Sequence, residues 1–174
     1  IKKVIEKADI DAKSIIGISC TGHGKGLYLW GHNDKPAYNG IISTDSRAWE
    51  VEEKYNNDGT KEKVYDKIFQ SILACQPVCL LKWFKENKPK ILDNTKYIFS
   101  VKAYVRYRIT GEAYLEMTDF SGTALMNLAE GRRDKELLEI YGLVDVFDKL
   151  PSLKKSDEIC GYITCEVAKR TGLI

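Results

Sequence analysis

Residues Ile15–Trp30 constrain the fold more than any other stretch of the chain. Two short apolar runs, Ile15–Cys20 and Leu27–Trp30, flank a loop in which Gly22, Gly24 and Gly26 alternate with His23 and Lys25. Each run is continuous and rich in β-branched or aromatic residues, which predicts two buried strands. Glycine at every second loop position frees the backbone to reach positive φ and lets a ligand come close. The stretch fits the rim of a small-molecule pocket and, equally, a hairpin with a glycine-rich turn. By itself it leaves both readings open.

A chain of 174 residues suits one domain, with room for an inserted subdomain. With 44% hydrophobic and 30% charged residues it can bury an ordinary core, which excludes a disordered chain. Its 27 basic and 25 acidic residues leave a net charge of only +2, against the basic excess that phosphate neutralisation by a nucleic-acid binder requires. No apolar run reaches the roughly 18 residues of a membrane span, and no signal-peptide pattern opens the chain. The expectation is a cytoplasmic protein with neither nucleic-acid nor membrane partners. Five cysteines, odd in number and without C-x-x-C spacing, read as free thiols rather than a disulfide scaffold or zinc site. The start at Ile1 inside a charged helical pattern and the stop at Thr171–Ile174 read as a piece of a longer protein, cut at both ends.

Along the chain, helical spacing covers residues 1–8. Asn33–Pro36 supplies turn chemistry, and Ser43 or Thr44 is placed to cap a helix containing the Glu50–Lys54 pair. A second helix is expected from Thr60 to about Ile72. A third follows Pro77, with Leu80, Leu81 and Phe84 as its buried stripe. Tyr97–Ser100 reads as a strand leading into a helix over Val101–Ile109 that Gly111 stops. Short strands are expected at Tyr114–Met117, Ala124–Leu128 and Gly161–Ile163, with helices ending near Gly142 and Arg170. Strands alternating with helices indicate an α/β layered fold.

Few residues carry chemistry on their own evidence. His23 fits a ligand hydroxyl contact, a base or a satisfied structural histidine. Lys25 invites comparison with a phosphate loop, but G-x-G-x-G has the wrong spacing and Gly26, not Ser or Thr, follows the lysine. A solvated loop lysine or a hydroxyl donor remains. Asp45 and Arg47 can jointly grip a polyol, one accepting and the other donating, or serve as a cap and a surface charge. Gln76, before Pro77, carries the same ambiguity.

The order and spacing of several short motifs resemble the FGGY family of carbohydrate kinases, in its xylulokinase and L-xylulose kinase branch. They are Thr21–Leu27, Ser43–Ala48, Gln76–Pro77, Leu81–Trp83, Lys102–Glu112, Thr118–Asp119 with Ser121, and Ile159–Ile163. The resemblance implies a ribonuclease-H-like, actin-like ATPase fold, with a mixed sheet and flanking helices. Residues 1–174 would form most of the N-terminal, sugar-binding domain. It also implies ATP and Mg²⁺ as cofactors, ATP being held largely by a C-terminal domain, and transfer of the γ-phosphoryl group to a ketopentose hydroxyl. By the same resemblance His23, Lys25, Asp45, Arg47 and Gln76 line the sugar. The family's phosphate-binding hairpin and catalytic aspartate have no counterpart in these residues, so no catalytic residue is assigned and the chain alone is expected to be inactive. A homodimer of the full-length protein is compatible with this reading. The competing reading is a non-catalytic carbohydrate-binding or sensing module on the same fold.

Overall fold

The computed structural model describes residues 1–173. Helix α1 (Lys2–Ala8) and a 3₁₀ turn (Ala12–Ser14) precede strand β1 (Tyr28–Gly31). Four helices follow: α2 (Trp49–Asn57), α3 (Thr60–Ile68), α4 (Pro77–Asn87) and α5 (Pro89–Asp93). Next come β2 (Thr95–Phe99), α6 (Val101–Thr110), β3 (Tyr114–Glu116), α7 (Met117–Ser121), β4 (Met126–Asn127) and β5 (Arg132–Arg133). Helix α8 (Lys135–Ile140), a 3₁₀ segment (Val144–Lys149), β6 (Ser152–Lys154) and α9 (Cys165–Thr171) complete the fold.

The α/β class is as the sequence indicates, with both parallel and antiparallel pairing present. That pairing is distributed over three two-stranded sheets: β1 with β2 and β4 with β5 antiparallel, β3 with β6 parallel. One apolar core joins them. Helix α4, started by Pro77 in its first turn, buries Val78, Cys79, Leu80, Leu81 and Phe84 completely. Leu29 and Ile98 face each other across β1 and β2 and enter the same core. Above that sheet Trp30 meets Tyr107 edge-on at 5.5 Å, and Tyr28 stacks on Tyr104 at 5.8 Å. These aromatic pairs lock α6 onto β1.

Several expected boundaries are displaced, each for a physical reason. Ile15–Cys20 is extended but is not a strand, because a strand requires a ladder partner. Among the described residues β1 is paired with β2 on one side and bridged to Ile41 on the other, and neither reaches this segment. Ile16 is consequently fully exposed. The helix expected from Ser43 begins only at Trp49, since the Asp45 carboxylate accepts the Arg47 amide and holds the backbone in a local turn. Helix α3 stops at Ile68, where Phe69 turns left-handed at φ 47°. The strand expected over Tyr114–Met117 stops at Glu116, where α7 (Met117–Ser121) begins, capped by the Glu116 carboxylate. The strand expected at Gly161–Ile163 is absent, and β6 at Ser152–Lys154 takes the place beside β3. The Gly111 stop is observed as read, left-handed at φ 77°.

Asp134 ties three elements together. Its carboxylate caps α8, accepting the Glu136 amide at 3.0 Å, and takes Lys67 Nζ of α3 at 3.0 Å and Asn127 Nδ2 of β4 at 2.8 Å. The side chain is 3% exposed, so removing it leaves the Asn127 amide and the Glu136 backbone amide without their acceptor, while Lys67, 23% exposed, keeps Glu136 at 2.9 Å. Asp134→Ala is expected to lower unfolding free energy by about 2 kcal/mol or more, a lost cap together with a buried amide left unpaired, read as a shift of the urea midpoint. A loss below about 1 kcal/mol, the value of an isolated cap, would contradict this account.

Candidate functional site

The loop between Thr21 and Leu27 owes its shape to contacts at each end. Gly26 has φ +71°, and a Cβ there would lie 2.6 Å from the Ile41 carbonyl oxygen, so glycine alone fits. At the other end Gly22 lies against the first turn of α6, where a Cβ would meet Val101 and Lys102 at 3.1 and 3.3 Å. Lys25 sits between them in the left-handed region at φ 62°. No backbone–backbone hydrogen bond involves residues 17–26 among the described residues. The polar anchor is instead Lys102, whose ammonium donates to the carbonyls of Gly22 at 3.2 Å and His23 at 3.1 Å. It also pairs with the Asp119 carboxylate at 2.6 Å.

His23 is half-buried with both ring nitrogens engaged. Nδ1 lies 3.0 Å from the Gly24 carbonyl, which can only accept, so that nitrogen carries the proton. Nε2 is then the acceptor for the Tyr28 hydroxyl at 3.3 Å. Burial pushes the Tyr28 phenol up, which keeps it a donor.

The second polar segment is joined to the first through β1. Leu27 and Ile41 exchange backbone hydrogen bonds of 2.9 Å in each direction, bringing residues 41–47 alongside the glycine loop. Within this turn Arg47 grips Asp45 with two parallel bonds of 2.8 Å, from Nε and Nη2. That grip holds the Asp45 carboxyl below its ordinary range and raises the guanidinium. The guanidinium also lies 5.3 Å over Trp83 and 5.9 Å over Tyr38, which fixes its plane. Ile42, Thr44, Asp45, Ser46, Arg47 and Trp83 line an open cleft of about 560 Å³. Gly24 and Lys25 face a larger cavity of about 880 Å³, bounded across from them by Lys102 and Asp119 and along one wall by residues 15–21.

The structure therefore places Lys25 at one cavity and Asp45 and Arg47 at another, with His23 between, packed over Gly26. Gln76 lines neither. It is 1% exposed, and its amide is spent on Gln70, the Gly122 carbonyl and the Leu73 amide. Five residues were given no role by the sequence reading: Tyr28, Trp83 and Tyr38 as partners of His23 and Arg47, and the Lys102–Asp119 pair. Trp83, Lys102 and Asp119 lie in the motifs that carry the resemblance, and Lys102 left a further signal, being a cation in the first turn of a helix, where the macrodipole disfavours it.

Residues 1–174 match the model of the FGGY family of carbohydrate kinases, N-terminal domain. The chain is 32% identical over 174 residues to a protein described as a probable L-xylulose kinase of Haemophilus influenzae, covering all of this chain and 36% of that protein. It is 34% identical over 173 residues to the L-xylulose/3-keto-L-gulonate kinase of Escherichia coli, covering 99% of this chain and 35% of that one. Among solved structures, a ligand-bound xylulose kinase from Lactobacillus acidophilus superposes with a TM-score of 0.85 at 24% identity, over 99% of this chain and 35% of that chain. The chain thus spans about a third of the length of the relatives it matches, and its likeness to solved structures identifies the actin-like ATPase fold of the sugar kinases. It belongs, over the N-terminal domain, to the FGGY family of carbohydrate kinases.

Proposed function

We propose that this chain is the sugar-binding part of an ATP-dependent kinase acting on a ketopentose of the xylulose type. The observation that carries the reading is the Leu27–Ile41 bridge, which sets the His23 loop beside the Asp45–Arg47 turn in a member of a sugar-kinase family. The xylulose preference rests on the names of the relatives.

In this reading His23 and Lys25 contact sugar hydroxyls from the glycine loop, and Asp45 and Arg47 contact them from the turn. Gln76 acts at one remove, holding the segment before α4. A carboxylate and a guanidinium fixed side by side offer a polyol an acceptor and a donor at constant spacing, which orients one hydroxyl for attack. ATP supplies the phosphoryl group, and magnesium neutralises its charge in such transfers. What these residues supply is position. The 174-residue chain by itself is accordingly expected to release no ADP with any sugar. Turnover by that chain would refute the assignment of catalysis to polypeptide outside it.

The direct experiment is an ADP-release screen of the full-length protein against pentuloses, hexuloses, aldonates and polyols. Activity on a pentulose supports the kinase reading, whereas sugar binding without ADP release supports the sensing module. Arg47→Ala is expected to raise the KM for sugar about tenfold or more, a lost hydrogen bond to a charged partner being worth roughly 1.5–3 kcal/mol, and His23→Ala, which loses a neutral one worth about 0.5–1.5 kcal/mol, several-fold. The KM for ATP should stay near its original value. Equal increases for both substrates would count against these roles.

The fork also predicts an acid limit. Because Arg47 depresses the Asp45 pKa, the contribution of the pair is complete above the ordinary carboxylate value of 3.8 and is lost as pH falls through the lower folded value. Side-chain carboxyl ¹³C titration of Asp45 should show a midpoint below 3.8 that moves up in Arg47→Ala. An unchanged midpoint in that variant would exclude Arg47 as the cause.

A further inference from the structure

The ammonium of Lys102 donates to the Gly22 and His23 carbonyls and forms an ion pair with Asp119 Oδ1 at 2.6 Å. Asp119 is 3% exposed and Lys102 18% exposed, so the pair is largely withdrawn from water. The second Asp119 oxygen accepts the Ser100 hydroxyl, and Ser100 is the residue that caps α6. A chain of polar contacts therefore runs from the cap of α6 through α7 to the backbone of residues 22 and 23. No other element supplies a polar anchor to those two carbonyls, since the loop lacks backbone–backbone bonds among the described residues.

Lys102 stands where the α6 dipole opposes a cation, and Asp119 is a carboxylate whose burial is costly without a partner. Helix capping explains neither. Together they form a rigid strut ending on the peptide units that carry His23. We propose that Lys102 is a positioning residue for sugar binding, setting the height and tilt of the His23 loop, with Asp119 as its buried anchor. The loop's role in sugar contact is taken from the function proposed above, and the strut itself is independent of it.

The expected behaviour differs from that of a residue that merely stabilises the fold. In the full-length protein, Lys102→Met should raise the KM for sugar about tenfold, the scale on which a misplaced contact far from the chemistry acts. It should leave the KM for ATP unchanged, while the melting temperature falls because the buried Asp119 carboxylate loses its partner. Lys102→Arg, able to donate to the same carbonyls and carboxylate, should recover most of the loss. Trypsin should cut the Lys25–Gly26 bond several-fold faster in Lys102→Met, because the loop has lost its tether. Asp119→Asn, which keeps the volume and removes the charge, should shift in the same direction on both measurements.

Unchanged cleavage after Lys25 would overturn the strut whatever the kinetics show. Faster cleavage with an unaltered sugar KM would overturn the positioning role, provided His23→Ala does raise that KM. If His23→Ala also leaves it unaltered, the sugar assignment of the loop has failed, and the positioning role falls with it. Equal rises in both KM values would show Lys102 to be structural only.

Discussion

One short piece of backbone pairing fixes two loops side by side. Leu27 and Ile41 are both almost completely buried and exchange two hydrogen bonds, so the glycine loop before Leu27 and the turn after Ile41 leave the same point of the core together. Neither loop has an internal backbone ladder to fix its position. Shift the bridge by one residue and its side chains would change faces, because pairing has a period of two. Burial of Leu27, Leu29 and Ile41 opposes such a slip, each apolar side chain being worth roughly 1.5–3 kcal/mol in the core. The placement of both loops is thus specified by buried apolar residues.

The parts of the fold legible in the sequence are those decided locally. Pro77 at a helix start, Gly111 at a helix end and the stripe of Leu80, Leu81 and Phe84 each act through the nearest turn of backbone. Position after position they were readable. Ile15–Cys20 was not, because a β-branched run reports a preference for extended backbone and says nothing about whether a partner strand lies alongside. Asp45 and Arg47 were legible as a pair but not as the reason the following helix starts late. Side-chain competition for the Arg47 amide depends on conformation, not on spacing alone. The Lys102–Asp119 contact joins residues 17 positions apart through two helix starts, which no periodicity encodes.

The five candidate residues differ in how much bonding capacity they have left. Gln76 has spent its amide on internal partners, and freeing it would leave the Leu73 amide and the Gly122 carbonyl short of a partner in the core. Asp45 and Arg47 hold each other through two bonds of 2.8 Å, but their cleft is open, so a sugar hydroxyl can add to a remaining lone pair or donor without breaking the fork. His23 has only a 3.3 Å bond to Tyr28 at Nε2, longer than the usual range for such bonds. Lys25 has no side-chain partner among the described residues.

Under the sugar reading, a polyol would bind here by exchange rather than by filling a waiting set of groups. The His23–Tyr28 bond is then the one a hydroxyl replaces at least cost, and Tyr28 can donate to the same hydroxyl afterwards. Each exchange nets only about 0.5–1.5 kcal/mol, because a bond is given up for every bond gained. Affinity built from such small increments is modest, while selectivity depends on all of them being satisfied at once. That dependence explains why the loop must be held by a strut and a glycine contact at its two ends. A loop free to move could satisfy the wrong sugar nearly as well as the right one.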